Sequence, residues 1–259
     1  MEYKILGDYH THTIYSSGFR KEGIHATGTI EENAQVAINK GLSTLVISDH
    51  GPGHYFYGFR KENILEARKE IDRLNEIYIP KGLKILLGIE ANLVSVDGIL
   101  DVDEDFIKHI DILLMGYHYG ATPKSIKDGY NLYILNFASK LMSFTEEKTI
   151  EIYTKAYLKA LDNYSIDIIT HPGSKAKIDI VEVAKKCAKL GTALEISSKH
   201  SELSVESLMR IKDLDIDINC YINSDAHIPE DVGNLENGIM KAKIAGIDFN
   251  KIKNIQETR

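Results

Sequence analysis

Short apolar runs alternate with segments of helical spacing along almost the whole chain. The runs have the length of strands and lie at 3–6, 42–48, 84–89, 110–117, 166–170, 192–196 and 216–223. Between them, apolar residues recur every three or four positions, which predicts helices at 30–40, 63–78, 146–161, 181–190, 205–214 and 239–245, followed by a polar tail. Seven strand–helix units with short connections predict an α/β fold whose parallel sheet closes into a TIM-like barrel.

The composition is that of an ordinary globular protein. The chain has 259 residues, of which 43% are hydrophobic and 27% charged, and we expect one domain spanning 1–259. No apolar run approaches the ~20 residues that span a bilayer, and the first residues lack the features of a signal peptide. Cys187 and Cys220 are isolated, which indicates free thiols in a reducing compartment. We therefore expect a cytoplasmic protein with no membrane partner. The net charge of −7 also argues against nucleic acid as a partner.

A histidine or a carboxylate follows nearly every predicted strand. The first run leads into the segment 8–12 (DYHTH), where His10 and His12 would point the same way in an extended backbone. The later strand ends carry His50, Glu90, His118, His171, Asp225 and His227. Because the carboxyl ends of parallel strands gather on one face of a barrel, we expect these side chains to converge there.

Taken singly, these residues have ordinary structural explanations. His118 or His171 alone would be a hydrogen-bonded core histidine, and Asp225 alone would be a helix cap. Independent explanations do not account for the shared position at strand ends, whereas a metal centre does. Nitrogen ligands mixed with a few carboxylates favour zinc, manganese or iron, and the set is too large for one ion. A carboxylate such as Glu90 can bridge two cations, and clustered cations suit phosphoryl hydrolysis.

The strand-end motifs resemble those of the PHP (polymerase and histidinol phosphatase) family of metal-dependent phosphoesterases. The matching stretches follow the family's order and are DYHTHT (8–13), ISDHGPG (47–53), GIEAN (88–92), VDGILD (96–101), GYH (116–118), THPG (170–173), LEISS (194–198) and NSDAH (223–227). The chain is most similar to the compact, single-domain YcdX-like members, which are similar to histidinol phosphatases. The resemblance implies a distorted (β/α)7 barrel with three divalent ions, zinc, manganese or iron, at the C-terminal ends of the strands.

Carried over motif by motif, the resemblance implies three overlapping ligand sets. The first ion would be held by His10, His12, Glu90 and Asp225. Glu90 would also bridge to a second ion, held by His118 and His171. The third ion would be held by His50, His227 and His25. The last of these follows an insertion at 17–24 that such family members often lack.

Other polar residues near the motifs are expected to have supporting or surface roles. Glu195 and Asp49 would orient ligand histidines, and a turn or cap role is equally open for Asp49. Three further histidines are interpreted as surface residues, namely His54, His109 and His200, and contact with the substrate is the alternative for His54 and His200. Three cations follow strand ends and would either pair with a phosphate or be solvated, namely Arg60, Lys175 and Lys199.

These observations favour an enzyme that hydrolyses a small phosphorylated substrate. The expected reaction is attack of a metal-bound hydroxide on phosphorus, with Glu90, Asp225 and His227 as catalytic residues and Asp225 or a histidine assisting the leaving group. The sequence contains neither a Gly-x-Ser-x-Gly nucleophile motif nor a Walker loop. Histidinol phosphate is a candidate substrate by resemblance. The alternatives are a PHP-type nuclease or exonuclease and a non-catalytic metal-binding domain, and the oligomeric state stays open.

Overall fold

The computed structural model describes residues 2–258, which form a seven-stranded parallel sheet and a two-stranded antiparallel sheet. The strands are β1 (Glu2–Ile5), β2 (Gly7–Thr11), β3 (Thr44–Ile47), β4 (Lys84–Asn92), β5 (Ile112–Gly116), β6 (Ile168–Ile169), β7 (Ala193–Ser197), β8 (Cys220–Asn223) and β9 (Ile255–Thr258). Strands β2 to β8 are hydrogen-bonded in chain order, and β1 pairs with β9. The α/β barrel of seven parallel strands predicted from the sequence is confirmed.

Helices follow most of the barrel strands. They are α1 (Ile30–Asn39), α2 (Ile64–Tyr78), α3 (Glu104–Ile107), α4 (Ile126–Gly129), α5 (Leu135–Leu141), α6 (Glu146–Asn163), α7 (Ile180–Leu190), α8 (Val205–Asp213) and α9 (Glu236–Ala245), with a π-helical turn at Tyr130–Ile134 between α4 and α5. Thr29 and Glu32 form a reciprocal capping box at the start of α1. Asp179 caps α7, and Gly191 ends it in the left-handed conformation. No helix within 2–258 is both long and apolar enough to cross a membrane.

Polar side chains close the barrel between β2 and β8. The backbone N–H of His12 donates to the carbonyl of Ala226 at 2.8 Å. Asp8 is fully buried and accepts hydrogen bonds from the backbone N–H groups of Ser224 and Gly233. Asn254 donates to the carbonyls of Gly7 and Ile222 and accepts from the N–H of Ile222. The first and last barrel strands, β2 and β8, are therefore joined by hydrogen bonds from side chains where the backbone hydrogen bonds between them are incomplete.

The predicted element boundaries differ from the structure at both ends of the chain. The run 3–6 is not the first barrel strand, because β1 pairs with β9 outside the barrel and β2 takes the first barrel position. The tail after α9 is not merely polar, since it contains β9 and the buried Asn254. The helical segment 126–141 has no counterpart in the prediction. That one domain spans 1–259 stays a prediction, which the pairing of the two chain ends supports.

We expect the Asn254→Ala substitution to destabilise the fold. It removes three buried hydrogen bonds and leaves backbone groups of β2 and β8 without a partner, which should cost about 3 kcal/mol in the free energy of unfolding. Urea denaturation followed by circular dichroism measures this. Asn250→Ala is the matched control, because Asn250 is exposed. An Asn254→Ala protein with the stability of the control would contradict this role in closing the barrel.

Candidate metal centre

The nine predicted ligands lie together at the C-terminal end of the barrel strands. His10 lies in β2 and Glu90 in β4, while the other seven belong to the loops that follow the strands. Each strand end delivers its side chain inward, because the strands are parallel and their carboxyl ends share one face. His171 and Asp225 have positive φ angles of 25° and 54°, which non-glycine residues rarely adopt. Such backbone strain clusters at functional sites.

Four of the side chains form the first cluster. The Nε2 atoms of His10 and His12 are 3.1 Å apart. Oδ1 of Asp225 lies 3.1 Å from His12 Nε2 and 3.7 Å from His10 Nε2. Oε2 of Glu90 lies 3.3 Å from His10 Nε2 and 3.8 Å from His12 Nε2. Two imidazoles and two carboxylates thus present their donor atoms to one small volume.

The second cluster uses the other oxygen of Glu90. Its Oε1 atom lies 2.9 Å from Nε2 of His171 and 3.5 Å from Nε2 of His118. The two imidazole nitrogens are 3.4 Å apart. Thr170 donates a hydrogen bond to the same Oε1 at 2.7 Å, which fixes the carboxylate plane. The two oxygens of one buried carboxylate therefore face two different clusters.

Three histidines form the third cluster. Nε2 of His25 lies 2.9 Å from Nε2 of His50 and 3.0 Å from Nε2 of His227. The His12 ring lies beside both, with ring centroids 4.4 Å from His50 and 4.5 Å from His227. The insertion before His25 does not displace it from the site. Instead, the Tyr57 ring stacks on the His25 ring at 3.9 Å and holds it in place.

Hydrogen bonds on the outer side of several imidazoles turn their inner nitrogens toward the clusters. His10 Nδ1 donates to Oε1 of Glu195 at 2.8 Å, and Glu195 also accepts from the backbone N–H of His171. His118 Nδ1 donates to Oδ1 of Asn92 at 2.8 Å. A ring that donates from Nδ1 keeps a lone pair on Nε2, which is the form that binds a metal ion.

The same pattern extends to His12 and His227. Ser16 lies between His12 Nδ1 and Asp49, to which its hydroxyl donates at 2.6 Å. Asp49 also accepts from the backbone N–H of Thr13. His227 Nδ1 lies 2.9 Å from the carbonyl oxygen of Asp225. The expectation that Asp49 and Glu195 support ligand histidines therefore agrees with the contacts that they make.

The donor atoms of these clusters fit divalent cations. Three sets of ligand atoms lie within 4.8 Å of one another, namely His10–His12–Glu90, His50–Glu90–His118 and His12–His50–His227. Nδ1 of His50 and Oε2 of Glu90 are buried without a hydrogen-bond partner in the described chain, although they are 3.0 Å apart. Buried polar atoms are normally satisfied. Converging nitrogens and unsatisfied carboxylate oxygens are what bound cations would satisfy.

The protonation states suit metal binding as well. Burial lowers the pKa of His12 and His118 well below the usual value. It also lowers the pKa of His25 to about 2 and that of His227 to about 4. Burial alone would raise the pKa of Glu90, but the surrounding imidazoles lower it well below the usual range. Burial alone would also lower the pKa of His10 and His171, but the carboxylates of Glu90 and Glu195 raise it. The site therefore offers four imidazoles that are held neutral, two whose proton a bound cation would replace, and an ionised carboxylate.

Two residues for which the sequence left a surface role and a substrate contact open lie at the mouth of the centre. His200 Nε2 lies 3.2 Å from Oδ2 of Asp225, and its ring is 4.6 Å from that of His171, so His200 is not a solvated surface residue. Lys199 Nζ lies 3.5 Å from the same Asp225 oxygen and keeps half of its side chain exposed. Both residues lie in the loop after β7, and the apolar pattern of the sequence does not predict the course of that loop.

Other residues that the sequence singled out have structural roles. His54 is 4% exposed, donates from Nε2 to the carbonyl of Tyr119 and accepts at Nδ1 from the N–H of Tyr57, so it is not a surface histidine. Arg60 does not face the centre, because its guanidinium donates to the carbonyls of Gly18 and Arg20 in the insertion. These bonds pin the insertion against the loop that carries Tyr57.

Comparisons with known proteins agree with this geometry. The family model described as "PHP domain" matches residues 8–197, and the chain belongs to that family. A probable phosphatase of Thermoanaerobacter sp. (strain X514) is 31% identical over 97% of this chain and 91% of its own length. A probable phosphatase of Caldanaerobacter subterraneus subsp. tengcongensis is 29% identical over 92% of this chain and 83% of its own length.

A solved structure shares the fold. It is a histidinol phosphate phosphatase from Lactococcus lactis subsp. lactis, complexed with zinc, L-histidinol and phosphate. It matches with a TM-score of 0.62 and 17% identity and covers 94% of each chain. At this identity the likeness establishes the barrel architecture alone.

We expect the Glu195→Gln substitution to weaken metal binding without unfolding the protein. One amide oxygen cannot accept from both His10 Nδ1 and the backbone N–H of His171, so one of these donors would meet an amide N–H. Loss of such an outer contact typically lowers metal affinity about 10–100-fold. Competition with a chelator of known affinity measures the change. Glu206→Gln, an exposed position on α8, is the control. Unchanged affinity in Glu195→Gln would rule out the orienting role.

Proposed function

We propose that this protein is a metal-dependent phosphatase that hydrolyses a small phosphomonoester at a centre of three divalent ions. The observation that carries the proposal is the placement of Glu90, whose two oxygens face two different groups of imidazoles. A carboxylate placed in this way can bridge two cations, and paired cations stabilise both the attacking and the leaving oxygen of a phosphoryl transfer. Membership of the PHP family and the phosphatases among its relatives support the same activity.

We assign the donor groups to the proposed ions as the family resemblance implies. The first ion would be held by His10, His12, Glu90 and Asp225. The second would be held by Glu90, His118 and His171, and the third by His25, His50 and His227. Zinc, manganese and iron all suit this mixture of nitrogen and carboxylate donors. When bound, such ions lower the pKa of a water molecule and neutralise phosphate oxygens, which is the chemistry that phosphoester hydrolysis needs.

The residues of the chain supply the remaining functions. Glu90 and Asp225 carry the negative charge that keeps cations in the centre, and burial excludes bulk water around both. Lys199, half exposed at the mouth, is placed to bind a phosphate oxygen through a charge-assisted hydrogen bond. His200 holds the outer oxygen of Asp225, and this pair faces the mouth where the leaving oxygen would depart. His227 is the third catalytic residue that we propose, together with Glu90 and Asp225.

The substrate is proposed from chemistry and family. The centre binds the phosphate, while the alcohol part would extend toward the mouth lined by Lys199 and His200. Histidinol phosphate is a candidate, because the Lactococcus lactis structure with this fold holds L-histidinol and phosphate. A nuclease is less well supported, since the chain carries a net charge of −7 and a nucleic-acid backbone prefers a basic surface.

We expect the purified protein to hydrolyse small phosphomonoesters and to lose that activity on chelation. The assay is phosphate release from p-nitrophenyl phosphate and from a panel of phosphorylated metabolites that includes histidinol phosphate. Single-stranded DNA is tested in parallel. Removal of the metals should lower kcat by a factor on the order of 10³, and zinc or manganese should restore it. Activity on DNA alone would favour the nuclease. Metal binding without any turnover would favour a non-catalytic domain.

A further inference from the structure

The helical segment 126–144 carries a row of large apolar side chains on its outer surface. They are between 55% and 94% exposed and consist of Ile126, Tyr130, Ile134, Phe137, Leu141 and Phe144. We call this row the apolar stripe. Single exposed apolar residues are common, but a contiguous row of this size usually marks an interaction surface.

The segment beneath the stripe is firmly attached to the barrel. Leu132 and Leu135 are buried on its inner side, and the hydroxyls of Tyr117 and Tyr153 both donate to the carbonyl of Leu132. Asn136 is buried and donates to the carbonyl of Lys175 at 3.0 Å. The stripe therefore lies on the outer side of an anchored helical segment made of α4, the π-helical turn and α5, and it is presented to solvent in a fixed orientation.

The spacing of the stripe is that of a helix–helix contact. From Tyr130 to Leu141 its members are separated by four, three and four residues, which is the heptad spacing of paired helices, while Phe144 follows in a short 3-10 turn after the end of α5. The six side chains expose on the order of 700 Å², estimated from about 150–200 Å² for each large side chain. A stable protein–protein interface needs roughly 800 Å² on each partner. The stripe alone supplies most of that area.

The charges at the two ends of the stripe are complementary under a two-fold rotation. The exposed Lys124 and Lys127 lie at its start, and the exposed Glu147 lies just beyond its end, next to Glu146, which pairs with Lys177. In an antiparallel pair of these segments, Ile134 of each copy faces Phe137 of the other. The same register sets Lys124 of one copy against Glu147 of the second. A two-fold contact of this kind uses the same surface on both copies.

We propose that the apolar stripe is the contact through which two copies of this chain form an antiparallel two-fold dimer in solution. The occupant is a second copy because the heptad spacing, the exposed area and the end charges all match the stripe to itself. The contact lies beside the mouth of the candidate metal centre, since the same segment holds the carbonyl of Lys175, three residues after Pro172 in the THPG motif. Dimerisation does not depend on the proposed activity.

The first test is the molar mass in solution. Light scattering coupled to size-exclusion chromatography should give twice the chain mass for the full-length protein, with dissociation on dilution. Phe137→Glu combined with Leu141→Glu should give the monomer mass at the same concentration. Ile244→Glu is the matched control, because Ile244 is an equally exposed apolar residue on α9, and it should stay dimeric. Circular dichroism melting confirms that each variant is folded.

A charge exchange tests the register. Lys124→Glu and Glu147→Lys should each weaken the dimer, by about tenfold in Kd, because each creates two like-charge contacts, and the double variant should recover the affinity. A monomeric full-length protein, or a dimer that survives Phe137→Glu/Leu141→Glu, would overturn the proposal. So would a monomer that floats with vesicles containing phosphatidylserine, since the stripe would then contact a membrane.

Discussion

The structure depends on one buried carboxylate. Glu90 is fully buried near the carboxyl end of β4, and its two oxygens are surrounded by imidazoles contributed by β2 and by the loops after β3, β5 and β6. An unpaired buried charge would cost many kcal/mol, so this arrangement is sustainable only with compensating positive charge. His12 and His118 provide little of it, because burial keeps their pKa low. Burial also opposes the protonation of His10 and His171, but the carboxylates raise the pKa of both, so these two rings provide part of it. Divalent cations between Glu90 and the imidazoles would supply the remaining positive charge.

Local backbone strain and hydrogen bonds between buried polar groups accompany this arrangement in the barrel. His171 and Asp225 adopt backbone conformations that favour glycine, and hydrogen bonds to Glu195 and His200 hold them there. The closing strands are joined by buried polar side chains such as Asp8, whose raised pKa reflects its desolvation. Such residues add less stability than an apolar core would. They place the ends of the strands where the ligand histidines must converge.

Much of this organisation could be predicted from the sequence, because it repeats. Parallel strands that are buried on both faces give continuous apolar runs, and a polar residue after each run marks the common edge where the nine ligands meet. The rest depends on contacts between distant segments. Pairing of β1 with β9, the closing role of Asn254 and the approach of His200 to Asp225 have no local signal. The helical segment 126–141 was not predicted, because its apolar residues face solvent on one side and the barrel on the other. The usual polar face of a surface helix is therefore missing from its sequence.

The central claim is that Glu90 serves two cation positions at once. The most direct measurement is elemental analysis of metal-loaded wild-type and Glu90→Ala proteins, once both have been shown to be equally well folded. The account predicts about three ions per chain in the wild type and about one in the variant, because the first and second ligand sets both lose a shared oxygen donor. A Glu90→Ala protein that retains the full metal content of the wild type would contradict it.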